Sequence, residues 1–192
     1  MVEETTIERK LSRARDSKKL TKKKREELFK EYIKTTTYKV IITEPKEIDE
    51  ALASDHLNLN WLEAHKSAEI INALKPDEAY IDCPSPNAEH YKHYLENLLK
   101  NPDIELHVGH KMEDKSKVVA AASIIAKVTR DKIIEEIQKK YGNTGPGYTS
   151  NPVTQKFLKE NWDKHPEIFR KSWISWKNHK EKKEQKSLDS FE

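Results

Sequence analysis

The segment from Glu113 to Asp131 (EDKSKVVAAASIIAKVTRD) constrains this chain more than any other. Its apolar residues Val118, Ala121, Ala122, Ile125 and Val128 recur at helical spacing, which predicts a buried helix. Four alanines and a serine inside it let the backbone approach its neighbour closely. Two acids, Glu113 and Asp114, precede the first turn, where free amide groups and the helix dipole favour negative charge. Simple capping of a core helix explains them. So does a catalytic carboxylate held at the edge of a core, and spacing alone does not choose.

At 192 residues the chain suits one domain with an appendage. Charged residues make up 36% and hydrophobic ones 35%, so a core forms beneath a heavily ionic surface. No apolar run approaches the ~18 residues of a membrane span, and no signal-peptide pattern opens the chain. The single cysteine, Cys83, excludes an internal disulfide and fits a reducing compartment, so the expected location is the cytoplasm.

Net charge is only +3, but it is unevenly spread. Between Arg9 and Lys30 eleven Lys and Arg face three acids, a local excess of +8. Such a run is either a solvated helix face or a surface for a phosphate backbone, with salt-sensitive affinity.

Taken in order, Thr21 caps a helix to about Thr35, with Leu28, Phe29, Tyr32 and Ile33 inward. Thr37–Thr43 (TYKVIIT) is β-rich and predicts a strand. Pro45 opens a short helix through Ala53, and Asn60 with Glu63 resembles a capping box for a helix to Leu74. Ala79–Asp82 is a short buried strand, ended by Pro84 and Pro86. Asn87 then caps a helix to Lys100, Ile104–His110 is another strand, and the alanine-rich helix runs to about Tyr141, stopped by Gly142. Gly145–Tyr148 forms a loop, Ser150–Pro152 starts a helix to about Trp162, and Pro166 and Trp173 mark a last short helical region. Strands alternating with helices give an α/β or α+β domain. Four glycines in all leave no phosphate-cradling loop, which argues against a nucleotide-cofactor enzyme.

Asp82 ends a strand, where active sites of α/β sheets sit, although an Asp before Pro also starts turns. Glu113 or Asp114 follows one strand later, at the matching end of the next junction. Acids meeting there would repel and be relieved by a hard cation such as Mg²⁺, the arrangement used for metal-assisted phosphodiester hydrolysis. The eight histidines are scattered and form no metal-ligand spacing. Tyr148, between Gly147 and Thr149, either packs or stacks on a sugar or base. At the C-terminus Gln185, Leu188 and Phe191 are spaced to put two apolar anchors on one helical turn, suited to a partner's groove.

Four motifs carry a resemblance: Asp16–Thr21 (DSKKLT), Tyr80–Asn87 (YIDCPSPN), Ala122–Asp131 (ASIIAKVTRD) and Gly145–Pro152 (GPGYTSNP). Together, and in this order, they resemble ribonuclease HII, the type 2 ribonuclease H, in its archaeal form. The resemblance implies a ribonuclease H-like α/β sheet flanked by helices, with a helical C-terminal region. It further implies Mg²⁺- or Mn²⁺-dependent endonucleolytic hydrolysis of RNA in RNA–DNA hybrids, and of DNA with embedded ribonucleotides. By it Asp82 is a metal-binding catalytic carboxylate. The family's next acid follows His-Lys-Ala, which aligns with His110-Lys111-Met112 and points to Glu113, with Asp114 its neighbour. Arg15 and Lys18 look like substrate contacts, Tyr148 resembles a tyrosine that senses the ribose 2′-hydroxyl, and Arg170 and Lys171 match a basic patch. Gln185, Leu188 and Phe191 resemble a sliding-clamp (PCNA) peptide, in which Glu192 replaces the usual second aromatic.

The resemblance also implies a strand carrying Asp-Glu-x-Gly-Arg-Gly, with two further acids, and nothing between Met1 and Arg15 matches it. The expectation is therefore a sheet incomplete at the N-terminus, a chain inactive or impaired alone, and a separate N-terminal polypeptide as one source of the strand. The expected layout is a core over 1–142, a helical substrate-binding region over 143–176, a charged tether over 177–184 and a clamp peptide over 185–192. The competing class is a non-catalytic nucleic-acid-binding protein tethered to the clamp.

Overall fold

The computed structural model describes residues 1–188, and their side chains except those of Glu8, Lys186, Ser187 and Leu188. The elements follow as α1 (Ile7–Leu11), α2 (Lys22–Thr35), α3 (Pro45–Ala53), α4 (Leu59–Leu74), β1 (Glu78–Asp82), α5 (Ala88–Glu96), β2 (Glu105–Gly109), α6 (Met112–Lys115), α7 (Lys117–Tyr141), α8 (Pro152–Asn161) and α9 (Ile174–Leu188). The chain divides into two compact units, one of Met1–Ile42 with Leu59–Arg130, the other of Thr43–Asn58 with Asp131 onward.

The first unit is α/β. Strands β1 and β2 pair in parallel, Glu78 against Glu105 through Asp82 against Gly109. A parallel pair needs a crossover, and α5 supplies it. Asn87 starts that helix by accepting the His90 N–H at 3.0 Å. Tyr91 and Leu95 of α5 are fully buried against Ala64, Ala68 and Ile71 of α4 and Leu106 of β2. A second cluster joins Leu11, Leu28 and Tyr32 to Ala120, Ala121, Ile124, Ile125 and Val128 of α7. Burying one such aliphatic side chain contributes about 1.5–3 kcal/mol.

Two expectations shift here. The buried stripe of α7 centres on Ile124, which is wholly enclosed, whereas Ala122 faces solvent. As expected, the acids precede that helix: they lie on α6, and Ser116 separates it from α7, its hydroxyl accepting the Val119 N–H at 3.4 Å. The predicted strand over Thr37–Thr43 is not one. Tyr38, Val40 and Ile42 are exposed and no ladder partner lies beside them among the described residues. Branched residues favour a pleated surface only where a neighbouring edge offers hydrogen bonds.

The second unit is helical. Asn151 caps α8 by accepting the Val153 and Thr154 N–H groups at 2.9 and 3.3 Å. Trp162 and Trp176 meet edge to face with centroids 5.5 Å apart, and the Trp176 Nε1–H donates to the Trp162 carbonyl at 3.2 Å. Asp49 of α3 accepts the amide N–H groups of Lys171 and Ser172 at 2.8 and 2.9 Å. Residues 177–184, expected as a tether, are helical within α9. No helix among the described residues is long and apolar enough to cross a membrane.

Candidate active site

The parallel register brings the ends of β1 and β2 level, Asp82 opposite Gly109. After Gly109 the chain turns sharply: Lys111 holds a left-handed conformation with φ +55°, which costs a non-glycine residue of order 1–3 kcal/mol. That turn brings the first residue of α6 back over β1. The Met112 N–H donates to Asp82 Oδ1 at 2.9 Å. Gly109 permits the close fold-back, since a Cβ there would lie 3.2 Å from Met112 Sδ.

Glu113 and Asp114 follow Met112 and differ in environment. The Glu113 side chain is 13% exposed, and its Oε2 is buried without a hydrogen-bond partner among the described residues. Asp114 is 46% exposed and is held by Lys19 Nζ at 2.5 Å. That hydrogen bond, then the Lys19 charge, keeps the Asp114 carboxyl below its usual range against slight burial. Lys18 Nζ lies 3.3 Å from Glu113 Oε1. This hydrogen bond, the Glu113 charge, Asp16 and more weakly Asp82 together hold the Lys18 ammonium above its ordinary value.

The two lysines are carried by a rigid turn over Ser17–Lys19. Asp16 accepts the Lys18 N–H at 2.9 Å, and Arg25 Nη1 donates to the Ser17 and Leu20 carbonyls at 3.1 and 2.6 Å. Ser17 and Ser123 of α7 share a hydrogen bond at 3.0 Å. The DSKKL motif and the serine of the alanine-rich helix are thus two sides of one joint. Glu63 of α4 also faces this region. Although part of it reaches solvent, burial and then the Asp82 charge push its carboxyl up. Sequence reading treated Glu63 as a cap and missed Lys19, Ser17, Ser123 and Arg25. The only signal for Lys19 in the sequence was its place next to Lys18 in the DSKKLT motif.

Of the expected site residues, the structure gathers Asp82, Glu113, Asp114 and Lys18 in the first unit. Arg15 is exposed in the same unit. In the second, Tyr148 is 46% exposed on a loop fixed by Thr154, whose Oγ1 accepts the Gly147 N–H at 3.1 Å and donates to the Thr144 carbonyl at 3.0 Å. Gly145 (φ +64°) has room for no other residue there, because a Cβ would sit 2.7 Å from Thr154 Oγ1. Arg170 stacks over Trp173 at 4.8 Å, and Lys171 is exposed. Gln185 is exposed on α9, while the Leu188 side chain and Phe191 lie outside the described residues.

The first unit thus carries a strand-end carboxylate, a second carboxylate with one buried, unpartnered oxygen among the described residues, and two lysines on a clamped turn. The family model described as ribonuclease HII matches residues 1–176. The chain belongs to the ribonuclease HII family. It is 41% identical to a ribonuclease HII of Methanococcus maripaludis strain C5 over 171 residues, covering 85% of this chain and 71% of the relative. It is likewise 41% identical to the ribonuclease HII of Thermococcus sibiricus over 188 residues, covering 92% and 81%. Among solved structures, the ribonuclease H2 of Pyrococcus horikoshii superposes with a TM-score of 0.84 at 36% identity, covering 94% of this chain and 87% of that one. A PCNA:RNase HII complex from Archaeoglobus fulgidus matches with a TM-score of 0.75 at 38% identity, covering 88% and 80%. The ribonuclease HII fold therefore holds for this chain, and the family to which it belongs is one of endoribonucleases.

Proposed function

We propose that this chain carries part of the metal site of a ribonuclease HII that hydrolyses the ribose-containing strand of RNA–DNA hybrids, or DNA at embedded ribonucleotides. The observation that supports the reading is the Met112 N–H bond to Asp82, because it ties the turn that bears Glu113 to that carboxylate. Among the described residues no three His, Cys, Asp or Glu side chains form a cage. Mg²⁺ needs none: it is held by one or two carboxylates, with water and substrate phosphate completing the shell. The orphaned Glu113 Oε2 and the Asp82 carboxylate fit that requirement, and Mn²⁺ has the same hard-oxygen preference.

When bound, such a cation supplies Lewis-acid polarisation of the phosphodiester and a hydroxide nucleophile from water. The chain's own residues do the rest. Asp82 and Glu113 hold the cation, Asp114 steadies Lys19, and Lys18 binds the phosphate. Tyr148 stacks at the ribonucleotide, with Arg15, Arg170 and Lys171 on the backbone. Gln185, Leu188 and Phe191 bind a sliding clamp, a reading supported by the relative solved with PCNA. Phe191→Ala then abolishes clamp binding, and unchanged affinity would leave the tail a tether. The free cysteine Cys83 fits work in a reducing cytoplasm.

Two carboxylates are fewer than metal-assisted hydrolysis generally uses, so these 192 residues turn over weakly or not at all alone. Further carboxylates would come from a polypeptide bearing an Asp-Glu-x-Gly-Arg-Gly strand. The test is cleavage of duplex DNA containing one ribonucleotide, with Mg²⁺ and with Mn²⁺. Mixing the chain with such a polypeptide should yield cleavage that Asp82→Asn removes. Robust turnover by the chain alone contradicts the impairment, and no gain on mixing removes the second polypeptide. The small carboxylate set also favours a second reading, a clamp-tethered nucleic-acid-binding protein without catalysis. In that case Asp82→Asn leaves every measured property unchanged.

A further inference from the structure

The chain holds three sulfur atoms, in Met1, Cys83 and Met112. Met1 is 47% exposed at the N-terminus. Cys83 is buried, and its Sγ–H donates to the Ser85 carbonyl at 3.3 Å, so the core shields it. Met112 is partly exposed and sits on the turn that reaches Asp82. Of the three, it alone is both open to water and built into the candidate site.

The backbone of Met112 works as a pin. Its N–H donates to Asp82 Oδ1 at 2.9 Å, and its carbonyl accepts the Ser116 N–H at 2.8 Å, so it joins the end of β1 to the residue that leads into α7. The side chain holds the pin down. Its Sδ lies so close over Gly109 that a Cβ there would stand 3.2 Å away. The turn itself is short: α6 has four residues and follows Lys111 in its left-handed conformation. A segment of this kind opens more readily than the core beneath it. A thioether suits an apolar contact with the backbone, whereas a sulfoxide is polar and chiral and disrupts such packing.

We propose that Met112 is an oxidative modification site for peroxides, and that its sulfoxide withdraws the Met112 N–H from Asp82. A lone pair of Sδ attacks one oxygen of hydrogen peroxide, the S–O bond forms as the O–O bond breaks, and a proton passes to the departing oxygen, which leaves as water. Sulfur loses two electrons and the peroxide gains them. The sulfur is already in close contact with Gly109, so the added oxygen turns to solvent and draws the side chain with it. A carboxylate that loses such an outer hydrogen bond holds a metal ion about tenfold or more weakly. That consequence rests on the cation site proposed above, while the oxidation and the opening of the turn do not.

The test treats the full chain with hydrogen peroxide and follows it in three ways: mass spectrometry of each sulfur-bearing peptide, amide hydrogen exchange at Met112, and Mn²⁺ titration. The Met112 peptide should gain one oxygen atom, its amide should lose protection, and Mn²⁺ affinity should fall by about tenfold or more. Methionine sulfoxide reductases for both epimers should reverse all three changes. Met112→Leu keeps the amide and much of the shape without the sulfur, so its Mn²⁺ affinity should be the same before and after peroxide. Met112 staying reduced while Met1 is fully oxidised overturns the proposal. So does an oxidised Met112 whose amide remains as protected as before, or an equal peroxide-induced loss in Met112→Leu. Lost amide protection in a parent that binds no Mn²⁺ in either state upholds the modification and sinks the cation site alone.

Discussion

Lys18 and Glu113 stand 95 positions apart in sequence, yet the lysine Nζ lies 3.3 Å from the buried carboxylate's Oε1. The ammonium is 81% exposed and Glu113 only 13%, so the lysine is the movable partner. In the function proposed here it neutralises Glu113 until a cation does so, and is then available to a phosphate.

Lys18→Met should therefore tighten Mn²⁺ binding several-fold in calorimetry, since the competing positive charge is gone. The same variant should weaken binding to an RNA–DNA hybrid and lower its salt slope by about 1. Weaker Mn²⁺ binding would mean that Lys18 shapes the carboxylates rather than competing for them.

We propose that exposure and partners decide which of the two adjacent acids holds the cation. Asp114 is already satisfied by Lys19 in solvent, whereas Glu113 Oε2 is buried with nothing to accept from among the described residues. Asp114→Asn should leave Mn²⁺ affinity within about threefold, because an exposed ion pair contributes little. A collapse of Mn²⁺ binding in that variant would reassign the second ligand.

In the second unit, Asp49 joins α3 to the chain before α9. Burial raises its carboxyl, but the Ser172 side chain and the Ser172 and Lys171 amides outweigh this and hold it below its usual value. A depressed folded value stabilises the fold above the unfolded pKa of about 3.9 and ceases to as pH falls through the folded one. Asp49→Asn should thus lower stability by about 1 kcal/mol or less at pH 7, after solvent screening. The gap to the parent should narrow below about pH 4. A gap constant with pH, measured by thermal unfolding, would remove the charge argument.

Ile124 is wholly enclosed among Leu11, Leu28 and Tyr32. Ile124→Ala should destabilise the chain by about 2–5 kcal/mol in chemical denaturation. The exposed Ala122→Ser should change it by less than about 0.5 kcal/mol. Comparable losses would show that α7 packs through the other face.

Local chemistry was readable from sequence where it is decided locally. Thr21 and Asn87 each cap the helix expected of them, the helix expected to start within Ser150–Pro152 is capped by Asn151, and Gly142 ends α7 with φ +91°. The strand end at Asp82 followed from Pro84 and Pro86 beyond it, whereas β2 stops at Gly109, one residue short of the expected His110. Thr37–Thr43 was misread because a strand is a property of two segments, and its composition described only one. The Ser116 break was overlooked because continuous apolar spacing hides a cap inside it. At the site, Asp82 and the acidic dipeptide were visible as types in suggestive places. The choice between Glu113 and Asp114 was not, because it depends on Lys18 and Lys19, brought in from a turn held by Arg25 and Ser123.

The most direct measurement is a Mn²⁺ titration of the parent chain, Asp82→Asn, Glu113→Gln and the double variant. If the two carboxylates hold one cation, each single change should weaken binding by about 100-fold or more. The double variant should then be little worse than either single one, a strong coupling between neighbours. Two small, additive losses, or unaltered binding in either single variant, would show that Asp82 and Glu113 do not share an ion.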